Sequence, residues 1–183
     1  MSWTRTVMID LDGVLADLGA YEYVLRQEGK PSRQKWREFF SHASEAALLE
    51  SGADLVSRLE RVGYRYIVST TRPAWTWTLT EKWLHSQPHL APPIGLYTRR
   101  RKAPGDSSPA NCKREHFRQA ELIARMKIVT HLFIDDEPEI VAELVENRVP
   151  AILAAELQTV STHALKQFLT DHRRVTSRLQ KSA

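Results

Sequence analysis

The sequence predicts an α/β fold of three layers, with helices covering both faces of a central parallel sheet. Three observations predict it. Short apolar runs of strand length recur at Val7–Ile9, Tyr66–Val68, Ile94–Tyr97, Leu132–Ile134 and Ala151–Leu153. Segments with helical spacing separate most of them, and strands alternating with helices pair in parallel and are buried on both faces. Acids or hydroxyls close the first, second and fourth runs, where the loops at the carboxyl ends of parallel strands gather a site.

Taken in order, the first run ends in Asp10-Leu11-Asp12-Gly13. In extended chain two residues that are two apart point the same way, and Gly13 lets the backbone turn sharply. Residues from Asp17 to about Ala47, rich in Tyr, Phe, Arg and Glu, form a helical insertion large enough for a lid. This divides the chain into a core of residues 1–17 and 48–183 and a small cap of residues 18–47. Leu48, Leu49, Leu55, Val56 and Leu59 have helical spacing before the second run, which ends in Ser69-Thr70-Thr71-Arg72. Leu79, Trp83 and Leu84 mark the next helix, and Thr98 to Asn111 carries four basic residues and then turn formers, so it is expected to be a loop. Phe117, Ala120, Ile123 and Ala124 precede the fourth run, which ends in Asp135-Asp136 with Pro138 placed for the first turn of a helix. Ile140, Val141, Leu144 and Val145 lead to the fifth run, and the tail from Thr162 reads as a helix that frays at its end.

With 42% apolar and 26% charged residues in 183, the chain has ordinary globular usage, which excludes disordered and fibrous classes. A formal charge of +4 and a pI near 9.3 favour anionic partners. The single Cys112 rules out an intrachain disulfide and permits a reducing compartment. The opening residues lack the apolar core of a signal peptide, and no stretch reaches the roughly 18 to 20 apolar residues of a membrane span, so no membrane partner is expected and the cytoplasm is the expected location.

Asp10 and Asp12 repel each other unless a cation or a shared proton neutralises them. An EF-hand loop counted from Asp10 fails, because Val14, Leu15 and Tyr21 stand where an oxygen ligand, a glycine and a glutamate are required. The alternative that the aspartates only cap a helix leaves the second pair, Asp135 and Asp136, without a matching explanation. Ser69, Thr70, Thr71 and Arg72 suit an anion site and equally suit a helix N-cap.

Asp10-Leu11-Asp12-Gly13-Val14, a hydroxyl after the second strand, a lysine ahead of the fourth and the pair after it resemble, in that order, the four motifs of the haloacid dehalogenase (HAD) superfamily of phosphotransferases. The resemblance implies a Rossmann-like sheet with the first strand central and a phosphatase that uses Mg²⁺. It implies Asp10 as nucleophile, forming an aspartyl-phosphate, and Asp12 as general acid and then base. It places the metal on Asp10, the backbone carbonyl of Asp12 and Asp136, with Asp135 in support. Thr70, rather than Ser69, fills the hydroxyl position, because a small residue and an arginine follow it. Lys113 is favoured over Lys127, which falls at the wrong end of the fourth strand. Gly13, Thr71 and Arg72 would meet the phosphate.

From Val7 to Leu157 the chain further resembles the 3′-phosphatase domain of phage-type polynucleotide kinases, through Arg72, the Lys82-Trp83 pair, Gly105-Asp106 and Lys113. It departs from that pattern in a shorter loop after Arg72 and in Ser107-Ser108-Pro109-Ala110-Asn111, and these residues contain no P-loop motif. The expected substrate is therefore a DNA or RNA 3′-phosphate. Arg99, Arg100, Arg101 and Lys102 would contact its backbone, and Trp75 and Trp77 would stack on a base or pack in the lid. Tyr21, Tyr23, Trp36, Phe39 and Phe40 would shape the entrance or form the lid's own core. Two alternatives stand beside this reading: a 5′(3′)-nucleotidase or other small-molecule phosphatase, and a non-catalytic nucleic-acid or protein-binding domain.

Overall fold

A computed structural model describes residues 4–100, 108–122 and 128–181. Five strands form one parallel sheet: β1 (Thr4–Asp10), β4 (Tyr64–Pro73), β5 (Leu96–Arg99), β6 (Ile128–Asp135) and β7 (Ala151–Leu153), in the order β5-β4-β1-β6-β7. The expected first strand is therefore central. Four strands contain the apolar runs whole, and β5 begins two residues into Ile94–Tyr97. Four helices joining the strands are α3 (Glu50–Arg61), α4 (Trp77–Ser86), α5 (Pro109–Leu122) and α6 (Pro138–Glu146), while α7 (Ala154–Thr159) and α8 (Thr162–Lys181) follow β7. Thr98 and Arg99 lie in β5 and Pro109 to Asn111 in α5, so the expected loop is shorter at both ends. Its residues 101–107, including Arg101, Lys102, Gly105 and Asp106, lie outside the described residues, as does Lys127.

The period of two along the strands sorts side chains into two cores. Val7, Ile9, Tyr66, Val68, Leu132 and Ile134 face one side with Leu55 and Leu59 of α3 and Leu165 and Leu169 of α8. Met8, Ile67, Phe133 and Ala151 face the other with Phe117 of α5 and Leu144 of α6. These are the two outer layers of an α/β sandwich. Among the described residues no helix is long and apolar enough to cross a membrane.

Between β1 and α3 the chain forms a two-stranded antiparallel ribbon, β2 (Ala16–Asp17) with β3 (Ala47–Leu48). It frames α1 (Tyr23–Arg26), α2 (Ser32–Ser41) and short 3-10 turns at Gly19–Tyr21 and Ala43–Glu45. Trp36, Phe39 and Phe40 pack on one another with centroids 5.2–5.7 Å apart, and Tyr21 stacks on His42 at 4.1 Å. Phe39, with Tyr21 and Phe40 against it, joins the core on the α3 face of the sheet, while Tyr23 and Trp36 stay exposed.

The turn after β1 is held from below by α3. A Cβ added to Gly52 would come within 2.0 Å of the Val14 carbonyl oxygen. An exposed helical glycine is usually improved by alanine, by up to about 1 kcal/mol. Here the clash is with backbone and outweighs that gain. Gly52→Ala is expected to lower stability by roughly 1–3 kcal/mol in urea denaturation; an unchanged or raised midpoint contradicts the packing.

Candidate active site

Strand parity places the acids. Asp10 follows Met8, Asp135 follows Phe133 and Ser69 follows Ile67, so all three point to the α5 face at the carboxyl end of the sheet. Asp10 lies level with Ser69, and Ile9 with Ile134 immediately before Asp10 and Asp135. Lys113, one turn into α5, reaches between them. Its Nζ donates to Asp10 Oδ2 at 2.9 Å and to Asp135 Oδ2 at 2.8 Å. All three are buried. Removal from water alone would lower the lysine's pKa, but the two carboxylates outweigh this and hold it above its ordinary value. Burial pushes Asp10 well above the ordinary carboxylate range; Lys113 opposes that rise, while Asp135 and Asp12 add to it.

Asp136 completes the acidic group. One carboxylate oxygen from each of Asp10, Asp135 and Asp136 lies within 4.8 Å of the others, close enough to hold one metal ion. Burial, and next the charge of Asp135, raise the Asp136 pKa. Crowded carboxyls with raised pKa values are relieved by a cation. Gly13, at φ +82°, gives Asp136 its place, because a Cβ there would stand 1.9 Å from Asp136 Oδ2. The second oxygen of Asp135 accepts from the Glu137 amide at 3.2 Å, so both its oxygens are engaged within the protein. This leaves Asp10 and Asp136 the freer ligands.

Asp12 has different company. β1 ends at Asp10, so the alternation that would aim both aspartates the same way stops there. Val68, Thr70 and Arg72 share the opposite sheet face, and Arg72 binds Asp12 in a fork, Nη2 to Oδ1 at 2.7 Å and Nε to Oδ2 at 3.0 Å. Its Nη1 lies 3.3 Å from both the Ala43 carbonyl and Thr80 Oγ1. Arg72 is wholly buried and spends its guanidinium inside the protein, which differs from the expectation that it holds a substrate anion. Thr70 Oγ1 lies 3.5 Å from Asp12 Oδ2 and accepts from the Arg72 amide at 3.1 Å. Thr71 is half-buried and Gly13 is exposed.

With the geometry in hand, solved structures show the same arrangement of chain. A chain of the Pnkp1/Rnl/Hen1 RNA repair complex superposes with a TM-score of 0.58 at 20% identity, over 82% of this chain and 42% of that one. The haloacid dehalogenase-like protein SP0104 from Streptococcus pneumoniae gives 0.54 at 16% over 81% and 83%, and CbbY from Rhodobacter sphaeroides, in complex with phosphate, 0.52 at 16% over 81% and 84%. The fold is that of the haloacid dehalogenase hydrolases. The chain spans less than half the length of the RNA-repair chains it matches. No family model and no curated relative matches the sequence.

Sequence reasoning passed over three residues that support this site. Thr80 backs Arg72, one turn after the buried Thr76, and the i, i+4 threonines in a helix were its only signal. His116 and Cys112 flank Lys113 on α5. His116 Nδ1 pairs with Ser69 Oγ at 2.8 Å, Nε2 lies 3.6 Å from Cys112 Sγ, and the ring stacks on Tyr97. The spacing of Lys113 and His116, three apart on one helix face, was the available clue.

Burial pushes the His116 pKa from 6.5 down to about 4. Between those values the unfolded chain binds a proton that the folded chain does not, so stability falls as pH drops from 6.5 and levels off below 4. Urea denaturation at pH 7 and pH 5 is expected to show the parent losing roughly 2 kcal/mol more than His116→Gln. Equal losses would mean that His116 is protonated in the folded chain.

Proposed function

We propose that the chain is a Mg²⁺-dependent phosphomonoesterase that acts through an aspartyl-phosphate, with a nucleic-acid 3′-phosphate as substrate. One observation carries the reaction class: two carboxylates two residues apart are held by different cations, Asp10 by buried Lys113 and Asp12 by Arg72. Environments that differ this much assign one carboxylate to attack and the other to proton transfer.

An oxygen of Asp10 attacks phosphorus while the bond to the ester oxygen breaks. The leaving oxygen takes a proton from Asp12, whose side chain is about one-third exposed (35%) and can meet both substrate and water. Water then attacks phosphorus, Asp12 removes its proton, and phosphate leaves with Asp10 restored. Lys113 offsets negative charge beside the reacting group, and the Thr70 hydroxyl, 3.5 Å from Asp12 Oδ2, would turn to a phosphoryl oxygen. Arg72 keeps Asp12 turned toward the leaving group. Asp10, the Asp12 backbone carbonyl and Asp136 would hold Mg²⁺, oxygen donors of the kind this ion takes, with Asp135 supporting them. Bound there, the ion supplies charge neutralisation to the phosphoryl oxygens.

The nucleic-acid substrate is supported by the likeness to a chain of an RNA repair complex, by the motif resemblance to polynucleotide 3′-phosphatases, and by Arg99 and Arg100 at the carboxyl end of β5.

Asp10→Asn is expected to lower turnover of a phosphoester at least about a thousandfold while the circular dichroism spectrum is unchanged; retained turnover removes Asp10 as nucleophile. Mg²⁺ is expected to raise the melting temperature of the parent, and Asp136→Asn to abolish that rise, because only a folded site binds the ion. A rise of the same size in both would move the metal elsewhere. For the substrate, kcat/KM for a 3′-phosphorylated oligonucleotide should exceed that for nucleoside monophosphates and fall with salt. Equal values would point to a nucleotidase instead.

A further inference from the structure

Around the site three exposed or unpaired groups have no part in the chemistry: Trp75, Arg99 and Arg100. Arg99 ends β5 and pairs with Pro73 in the β4–β5 ladder. The 3-10 turn Ala74–Thr76, which carries Trp75, follows Pro73 and lies against β5, the strand that Arg99 ends and Arg100 follows. Trp75 leaves 51% of its surface in water, although the core lies close by. Trp77 is two residues further round the helical turn, on a different face, and does not share this position.

Among the described residues the arginines are equally uncommitted. Arg99 Nε is enclosed and meets no hydrogen-bond partner among the described residues, and neither Arg99 nor Arg100 forms an ion pair there. A guanidinium group with no acidic partner keeps its outer donors for a phosphate oxygen.

The position suits a polymer. Tyr97 is level with Ser69 and Ser69 with Asp10, so Arg99 stands two residues beyond the Asp10 level and two strands across. Strand spacing and rise put that offset at roughly 12 Å. A chain whose terminal phosphate sits at Asp10 reaches it within one or two nucleotides.

We propose that Trp75, Arg99 and Arg100 form a subsite for single-stranded nucleic acid, the indole stacking on an unpaired base and the guanidinium groups holding the neighbouring phosphodiester. The subsite rests on the phosphatase reading only for where the 3′ end lies. Single-strandedness follows from the indole, because a base within a duplex already stacks on its neighbours and presents no free face.

The test is binding without turnover. In the Asp10→Asn full chain, anisotropy of a 5′-dye-labelled oligodeoxynucleotide ending in a 3′-phosphate should give tighter binding for the single strand than for the same strand in a blunt duplex. Adding Trp75→Ala should weaken single-strand binding between about 5-fold and 100-fold, with an unchanged melting temperature. Adding Arg99→Gln and Arg100→Gln should weaken it and lower the salt slope by about one. Undiminished affinity in the Trp75→Ala chain, or equal affinity for blunt duplex, overturns the subsite. Loss of affinity on Trp75→Ala in a protein whose Asp10 form hydrolyses no phosphoester supports the subsite and overturns the phosphatase reading instead.

Discussion

The ammonium of Lys113, closed off from water between Asp10 and Asp135, is the contact on which the site depends. Three charged groups are buried together. Taking them out of water costs several kcal/mol per ion, and only close, well-directed contacts offset that cost. The contacts at 2.8 and 2.9 Å fix how near α5 lies to the tips of β1 and β6. Asp136 stands beside the pair as a third carboxyl. One oxygen from each lies within 4.8 Å of the others, a donor set that could hold a metal ion.

The opposite sheet face holds a second, separate arrangement. Arg72 joins Asp12 of the turn, Thr80 of α4 and the Ala43 carbonyl of the insertion through one planar group. A lysine could not make these contacts at once, because its donors radiate from a single atom. Nearby, Trp83 Nε1 donates to the Ala46 carbonyl at 2.8 Å. The return of the insertion is thus tied to the core at two points, one of which also orients Asp12. The insertion and Asp12 share an anchor, so the orientation of one constrains the other.

Fold and substrate rest on different evidence. At 15–20% identity the solved structures speak for the path of the chain, and many reactions use one such path. The chemistry is read from Asp10, Asp12, Lys113 and Asp136. The proposed substrate preference rests on groups outside the reacting centre, above all Trp75, Arg99 and Arg100.

By itself the sequence determined the five strands, their parallel pairing and the acidic tips of β1 and β6, because apolar runs and helical spacing are local patterns that follow from backbone geometry. Through the motif resemblance it also singled out Lys113, ahead of the fourth strand. Only the tertiary structure decided which face each polar group of β4 takes, sending Ser69 to His116 and Arg72 to Asp12. It alone made Arg72 an internal clamp and left Trp75 in water. Those outcomes depend on which helix packs against which face and on what competes for each donor. Partners 60 residues apart, like Asp12 and Arg72, leave no periodic trace in the chain between them.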